Sequence, residues 1–247
     1  MGFASAVERR LVSRRGGAVS SDRRDSPATA AQPFVFQGCV HVCEAISHEA
    51  RDARELLDHI KQVPAESIFC HTSVLLMHRT PQPDAYPNDF ALWVDLELRD
   101  RRLTERLAAV DPFRLGSIES VRADLVSTLE HHLQQLSTPP PHAGEPFRFQ
   151  QYHVVPVRTG HEARTLPEFR DALTDIDVST LFFHIVDARY RLGHGRGDFA
   201  EWVDTALGRP ELAERLSHID PYAGTLERVR ERHLIALNRA LEEDGRT

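Results

Sequence analysis

The stretch Asn88-Asp89-Phe90-Ala91-Leu92-Trp93-Val94-Asp95 returns as Gly197-Asp198-Phe199-Ala200-Glu201-Trp202-Val203-Asp204, and this recurrence constrains the fold more than any other feature of the chain. Pro33-Phe34-Val35-Phe36-Gln37 is matched by Pro146-Phe147-Arg148-Phe149-Gln150, and His48-Glu49-Ala50-Arg51 returns unchanged as His161-Glu162-Ala163-Arg164, 113 residues later. A unit used twice must fold from what its copies share. The 247 residues therefore read as two domains, 33–137 and 146–243, joined by a Pro-rich linker over 138–145. Each is long enough to bury a core of its own.

Within each unit the apolar spacing sets the expected elements. Phe34 to Val42 and Phe147 to Val157 alternate loosely between apolar and polar, which predicts a short extended opening. Ala53, Leu56, Ile60 and Val63, with Leu166, Phe169, Leu173 and Ile176 at matching positions, then follow helical spacing. A second apolar run, Ile68 to Met77 and Leu181 to Tyr190, predicts a buried helix, with Ser67 and Ser179 as its caps. Asp89 and Asp198 open a third helix, whose Phe90/Trp93 and Phe199/Trp202 share one face. Leu103 to Val110 and Leu212 to Ile219 form a fourth, ended by Asp111-Pro112 and Asp220-Pro221 because proline disfavours helix in the residue before it. Ser117 and Thr225 cap a long last helix. The expected fold is mainly α: two homologous helical-bundle repeats of about five helices each, opening with short extended segments and packed through their apolar faces as an intramolecular pseudo-dimer.

Charge narrows the function. Residues 1–32 hold six arginines against three acids and read as a disordered basic arm; removing them from the totals of 30 and 37 leaves 24 basic and 34 acidic residues, a net of −10. An acidic body argues against nucleic-acid binding. No apolar run approaches a membrane span, so no membrane partner is expected. Lys61 is the only lysine, which disfavours Schiff-base chemistry. Cys39, Cys43 and Cys70 correspond to Tyr152, Pro156 and Phe183 in the second unit, so the units share no disulfide or cysteine metal site. Reduced thiols, with Cys70 packed as a small hydrophobe, are the expectation.

Polar residues present in both units rank the candidate chemistry. His71 and His184 sit on the apolar face of their helix and need partners. With Asp89 and Asp111, or Asp198 and Asp220, they could form a His/carboxylate metal or acid–base site. The alternative is a core histidine bonded to a carboxylate or carbonyl at a neighbouring helix end. Local backbone capping equally accounts for Asp89, Asp111 and Asp220, and core packing for Trp93 and Trp202, which could otherwise stack on a sugar or base. His48-Glu49-Ala50-Arg51 lacks the second histidine of a His-Glu-x-x-His zinc motif, since Asp52 stands in its place and Thr165 does so in the other unit. Gly193-His194-Gly195-Arg196-Gly197 lacks dinucleotide-fingerprint spacing. No phosphate loop or Gly-x-Ser-x-Gly elbow is present, so no cofactor is expected and no metal is assigned.

Phe34-x-Phe36, Ser67-Ile68-Phe69-Cys70-His71, Asn88-Asp89-Phe90-Ala91-x-Trp93, Leu103-x-Glu105-x-Leu107 with Asp111-Pro112, and Ile118-Glu119-x-x-Arg122 together resemble the uncharacterised DUF5752 family of bacteria and archaea, nearly end to end in each repeat. The basic arm lies outside that pattern. The resemblance implies no established reaction and carries over no catalytic residues; it implies a loose place near trehalose and other storage-sugar metabolism. The expected function is a non-catalytic cytoplasmic binding or regulatory module acting on a protein partner. The alternative is a metal-assisted or acid–base hydrolase built on His71, Asp89 and Asp111 or on His184, Asp198 and Asp220.

Overall fold

The Phe-x-Phe openings are far longer than their alternation suggests. In the computed structural model, which describes residues 29–73, 86–138, 140–193 and 195–246, β1 (Phe34–Ala50) and β2 (Phe147–Ala163) each run for 17 residues. They pair with each other as a two-stranded antiparallel sheet. The expectation of a two-repeat bundle, mainly α with short openings, is corrected by this sheet. The alternation understates the strands because both are interrupted. Phe36 faces the three residues Thr159–His161, and Phe149 faces Ile46–His48, so the period-2 pattern breaks inside each strand. Gly160, at φ +84°, supplies the left-handed backbone that one bulge needs, and the Thr159 hydroxyl fastens it by donating to the Phe36 carbonyl at 2.6 Å.

The helices follow the apolar stripes. From the first half come α1 (Ala53–Ile60), α2 (Ala65–Ser73), α3 (Asp89–Trp93), α4 (Arg101–Ala108), α5 (Pro112–Leu115) and α6 (Ile118–Gln134). From the second come α7 (Leu166–Asp175), α8 (Val178–Leu181), α9 (Ala188–Leu192), α10 (Asp198–Thr205), α11 (Pro210–Ser217) and α12 (Leu226–Asp244). Wider π-helical turns extend α3 through Val94–Leu98 and join α8 to α9 through Phe182–Asp187. Ser117 and Thr225 cap α6 and α12 by accepting from the Ser120 and Arg228 amides. Ser67 instead lies inside α2, and Asp177 rather than Ser179 caps α8. The end of the expected second helix, most of the following Pro-rich loop and the basic arm to residue 28 lie outside the described residues, as do Pro139 and His194. No helix among the described residues is long and apolar enough to cross a membrane.

Two cores form, and each takes its first phenylalanines from the other half of the chain. Ala53, Leu56, Ile60, Phe90, Leu103, Val121 and Leu125 enclose Phe147 and Phe149 of β2. Phe169, Leu173, Phe199, Leu212, Val229 and Leu237 enclose Phe34 and Phe36 of β1. Each strand therefore begins among the helices of the opposite half and ends at the first helix of its own. A two-stranded ribbon is marginal alone in water; burial of both ends holds this one. The halves also touch directly, through Phe69 stacked on Tyr190 at 4.9 Å, Ser73 with Tyr222 at 3.0 Å and Arg189 over the Phe113 ring at 4.6 Å.

Candidate functional site

His71 sits two turns into α2, whose apolar face carries it into the first core at 3% exposure. Its Nε2 accepts the Gln150 backbone N–H of β2 at 2.9 Å. That acceptor role leaves the proton on Nδ1, which donates to Asp89 Oδ2 at 2.8 Å. Asp89 opens α3 behind its cap Asn88, placing the carboxylate in the first turn, where the helix dipole favours negative charge. The second half repeats the arrangement. His184, 4% exposed, accepts the Gln37 N–H of β1 at 2.8 Å and donates to Asp198 Oδ2 at 2.8 Å.

The rings around each pair are also matched. Phe147 lies 4.8 Å from His71, and Phe34 lies 4.8 Å from His184. Trp93 Nε1–H donates to the Glu145 carbonyl at 2.9 Å and Trp202 Nε1–H to the Gln32 carbonyl at 3.4 Å, two residues before each strand. The tryptophans thus pack in the cores and grip the entry of the exchanged strand. Gly197 is required by close approach, since a Cβ there would stand 2.8 Å from the His184 carbonyl oxygen. Gly193 caps α9 with a left-handed backbone at φ +66°.

Electrostatically the second pair is the more elaborate. Arg191 bridges Asp187 at 2.7 Å and Asp198 at 2.8 Å while lying over the Phe183 ring. Burial holds the His184 imidazole below its ordinary pKa, against the opposing hydrogen bond and charge of Asp198. Burial likewise pushes the Asp187 carboxyl up, with Arg191 opposing it.

The structure joins His71 to Asp89 and His184 to Asp198 but employs the other two aspartates elsewhere. Asp111 caps α5, accepting from the Phe113 and Arg114 amides at 3.0 and 3.3 Å, and Asp220 accepts from the Tyr222 amide at 2.7 Å. Both line one cavity of about 280 Å³ with Pro87, Pro112 and Tyr222, and neither histidine reaches it. Among the described residues no group of three or more His, Cys, Asp or Glu side chains is placed to hold a metal ion. The recurring Glu119/Arg122 and Glu227/Arg230 pairs carry a role that sequence reasoning missed. Arg122 Nη1 donates to the Ile60 and Val63 carbonyls, and Arg230 Nη1 to those of Leu173 and Thr174. Each arginine thereby closes the C-terminus of the first helix in its half.

With both ring nitrogens occupied, each His–Asp pair acts as a clamp on the exchanged strand. His71→Ala is expected to destabilise the protein by about 1–3 kcal/mol, by orphaning the Gln150 amide and the partly buried Asp89 carboxylate. Urea unfolding checks this, and an unchanged midpoint would show that the clamp contributes nothing.

One further surface is built by the ribbon. Val40 pairs directly with Val155, Gly38 with Val157 and Val42 with His153, which puts four valines on one face. They are 55% (Val40), 52% (Val42), 56% (Val155) and 46% (Val157) exposed, while Cys39 and Tyr152 of the opposite face are buried. The alternation of Val40 and Val42 was the sequence signal for this face.

Residues 31–238 match a family of unknown function (DUF5752). The fold is similar to the structure of OrfY from Thermoproteus tenax, with a TM-score of 0.77 and 29% sequence identity, over 86% of this chain and 97% of that one. No curated protein matches the chain.

Proposed function

The chain belongs to the DUF5752 family, and from that premise we propose that it is a non-catalytic binding or regulatory module of the cytoplasm, acting on a protein partner through the valine face of the ribbon. The observation that carries this reading is the exposure of Val40, Val42, Val155 and Val157 side by side at the middle of the sheet. Contiguous exposed apolar surface is costly in water and marks contact sites. The net charge of −10 over residues 33–247 favours a partner with an apolar centre and a basic rim. The matched His–Asp clamps support an origin by tandem duplication, with the two copies then packed as an intramolecular pseudo-dimer. In this reading His71 and His184 are architectural, because each spends both ring nitrogens on holding a strand.

A hydrolase is the second reading, and one observation favours it: the Asp89 side chain beside His71 is 31% exposed. It requires Nε2 to leave the Gln150 amide before the ring can serve as a base. Affinity purification from the source cells separates the two readings, using the tagged protein and a Val40→Asp/Val155→Asp variant. The binding reading expects a stoichiometric partner whose capture falls about tenfold or more in the variant, with melting temperature unchanged. The partner's identity also tests the link to storage-sugar metabolism that the resemblance implies. Equal capture by both proteins rejects the valine face, and bound metal without a partner favours the hydrolase.

A further inference from the structure

The three cysteines fall near one another in sequence, yet only the fold shows which two meet. Cys43 Sγ, on β1, lies 3.1 Å from Cys70 Sγ, on α2, across 27 residues of chain. Cys39, four residues earlier on the same face of the strand, donates instead to the Ser179 carbonyl at 3.5 Å. We infer that Cys43 and Cys70 form an oxidation site, closing an intramolecular disulfide that latches the centre of the ribbon to α2.

The geometry suits that chemistry. A disulfide bond is roughly 2.0 Å long, so the sulfurs need to approach by only about 1 Å. The thiols also differ in access: Cys43 is half-buried and Cys70 is buried. Burial raises the Cys70 pKa and keeps it a thiol, so Cys43 is the first to react and Cys70 resolves. With hydrogen peroxide as oxidant, the Cys43 sulfur attacks one peroxide oxygen, the O–O bond breaks and a sulfenic acid forms with loss of water. The Cys70 sulfur then attacks that sulfenic sulfur, its proton leaves with the hydroxyl as a second water, and the S–S bond closes. Two thiols and one peroxide become one disulfide and two waters, and a dithiol reductant reverses the step.

The latch would act where the exchanged strands are held. Cys70 precedes His71, which already binds β2 through the Gln150 amide, so oxidation would tie β1 covalently to the helix that clamps β2. The second half has Pro156 and Phe183 at the matching positions, so only one side of the ribbon can be latched. In a reducing compartment such a bond is transient, which suits a redox-responsive site.

The test is peroxide treatment of the folded, full-length protein, followed by intact mass, non-reducing peptide mapping and thermal melting. Expected are a mass loss of about 2 Da, a linked Cys43–Cys70 peptide, reversal by dithiothreitol, and a rise in melting temperature on the order of 5–10 °C. Cys39→Ser should retain the mass loss, and Cys43→Ser should abolish it. Because Cys43 is only half-buried, the latter variant remains folded even if Cys70→Ser does not. Oxygen addition at Cys43 without the cross-link, a cross-link through Cys39, or disulfide-linked dimers would each overturn the proposal.

Discussion

Phe36→Ala is expected to lower stability by about 3–5 kcal/mol, and the damage is expected in the core farther along the chain rather than in the nearer one. Phe36 is fully buried, with its ring 5.2 Å from Phe169 and 6.1 Å from Phe199. Removing it empties space between α7 and α10, while α1, α3 and α6 keep their own occupants. Amide hydrogen exchange should therefore accelerate in α7 and α10 and stay slow in α1 and α3. Phe149→Ala should give the reverse pattern, since its ring lies 5.9 Å from His71 and 6.3 Å from Phe90. Loss of protection at α1 and α3 in the Phe36 variant would mean that each opening strand packs with its own helices.

Acid is expected to destabilise the fold through its buried histidines, His233 first. Complete burial on α12 lowers its pKa to about 4, with the Arg189 charge adding to that and the bond from Nδ1–H to the Val229 carbonyl at 2.8 Å opposing it. Above the unfolded-state pKa of about 6.5 the ring is neutral in both states and its contribution is complete. As pH falls from there toward 4 the unfolded chain takes up a proton that the folded chain refuses, and about 3 kcal/mol is lost. His184 and His132 are shifted down by burial and act in the same sense. Asp187, raised by burial, acts oppositely: its contribution is complete below the unfolded carboxyl pKa and is lost as pH rises through the folded value. Urea unfolding at pH 7 and pH 5 should show the loss, and His233→Leu should flatten it. An identical drop in that variant would remove His233 as its source.

Local physical chemistry made much of this protein legible from the chain alone. Leu56 and Ile60 on α1 and Leu125 and Leu129 on α6 are fully buried, as helical spacing requires. Ser117 and Thr225 cap the long helices because a hydroxyl satisfies amides only a few residues away. His71 announced its need of a partner by standing on an apolar face, and its Asp89 is 18 residues away. The strands were harder, since bulges broke their period, and the long antiparallel sheet displaced the expectation of two helical bundles with short extended openings. The Cys43–Cys70 contact, too, depends on how the ribbon packs against α2.

What the chain could not decide is which strand enters which core. Phe34-x-Phe36-Gln37 and Phe147-x-Phe149-Gln150 offer the same two rings and the same backbone amide to His71 or His184. Either strand satisfies either pocket, so side-chain chemistry leaves self-packing and exchange nearly equivalent. The tertiary structure breaks the tie by pairing β1 with β2 along 17 residues, a geometry in which each strand starts in the opposite core and ends in its own. Ladder hydrogen bonds over that length, available only when both halves are assembled, decide what the two matching motifs leave open.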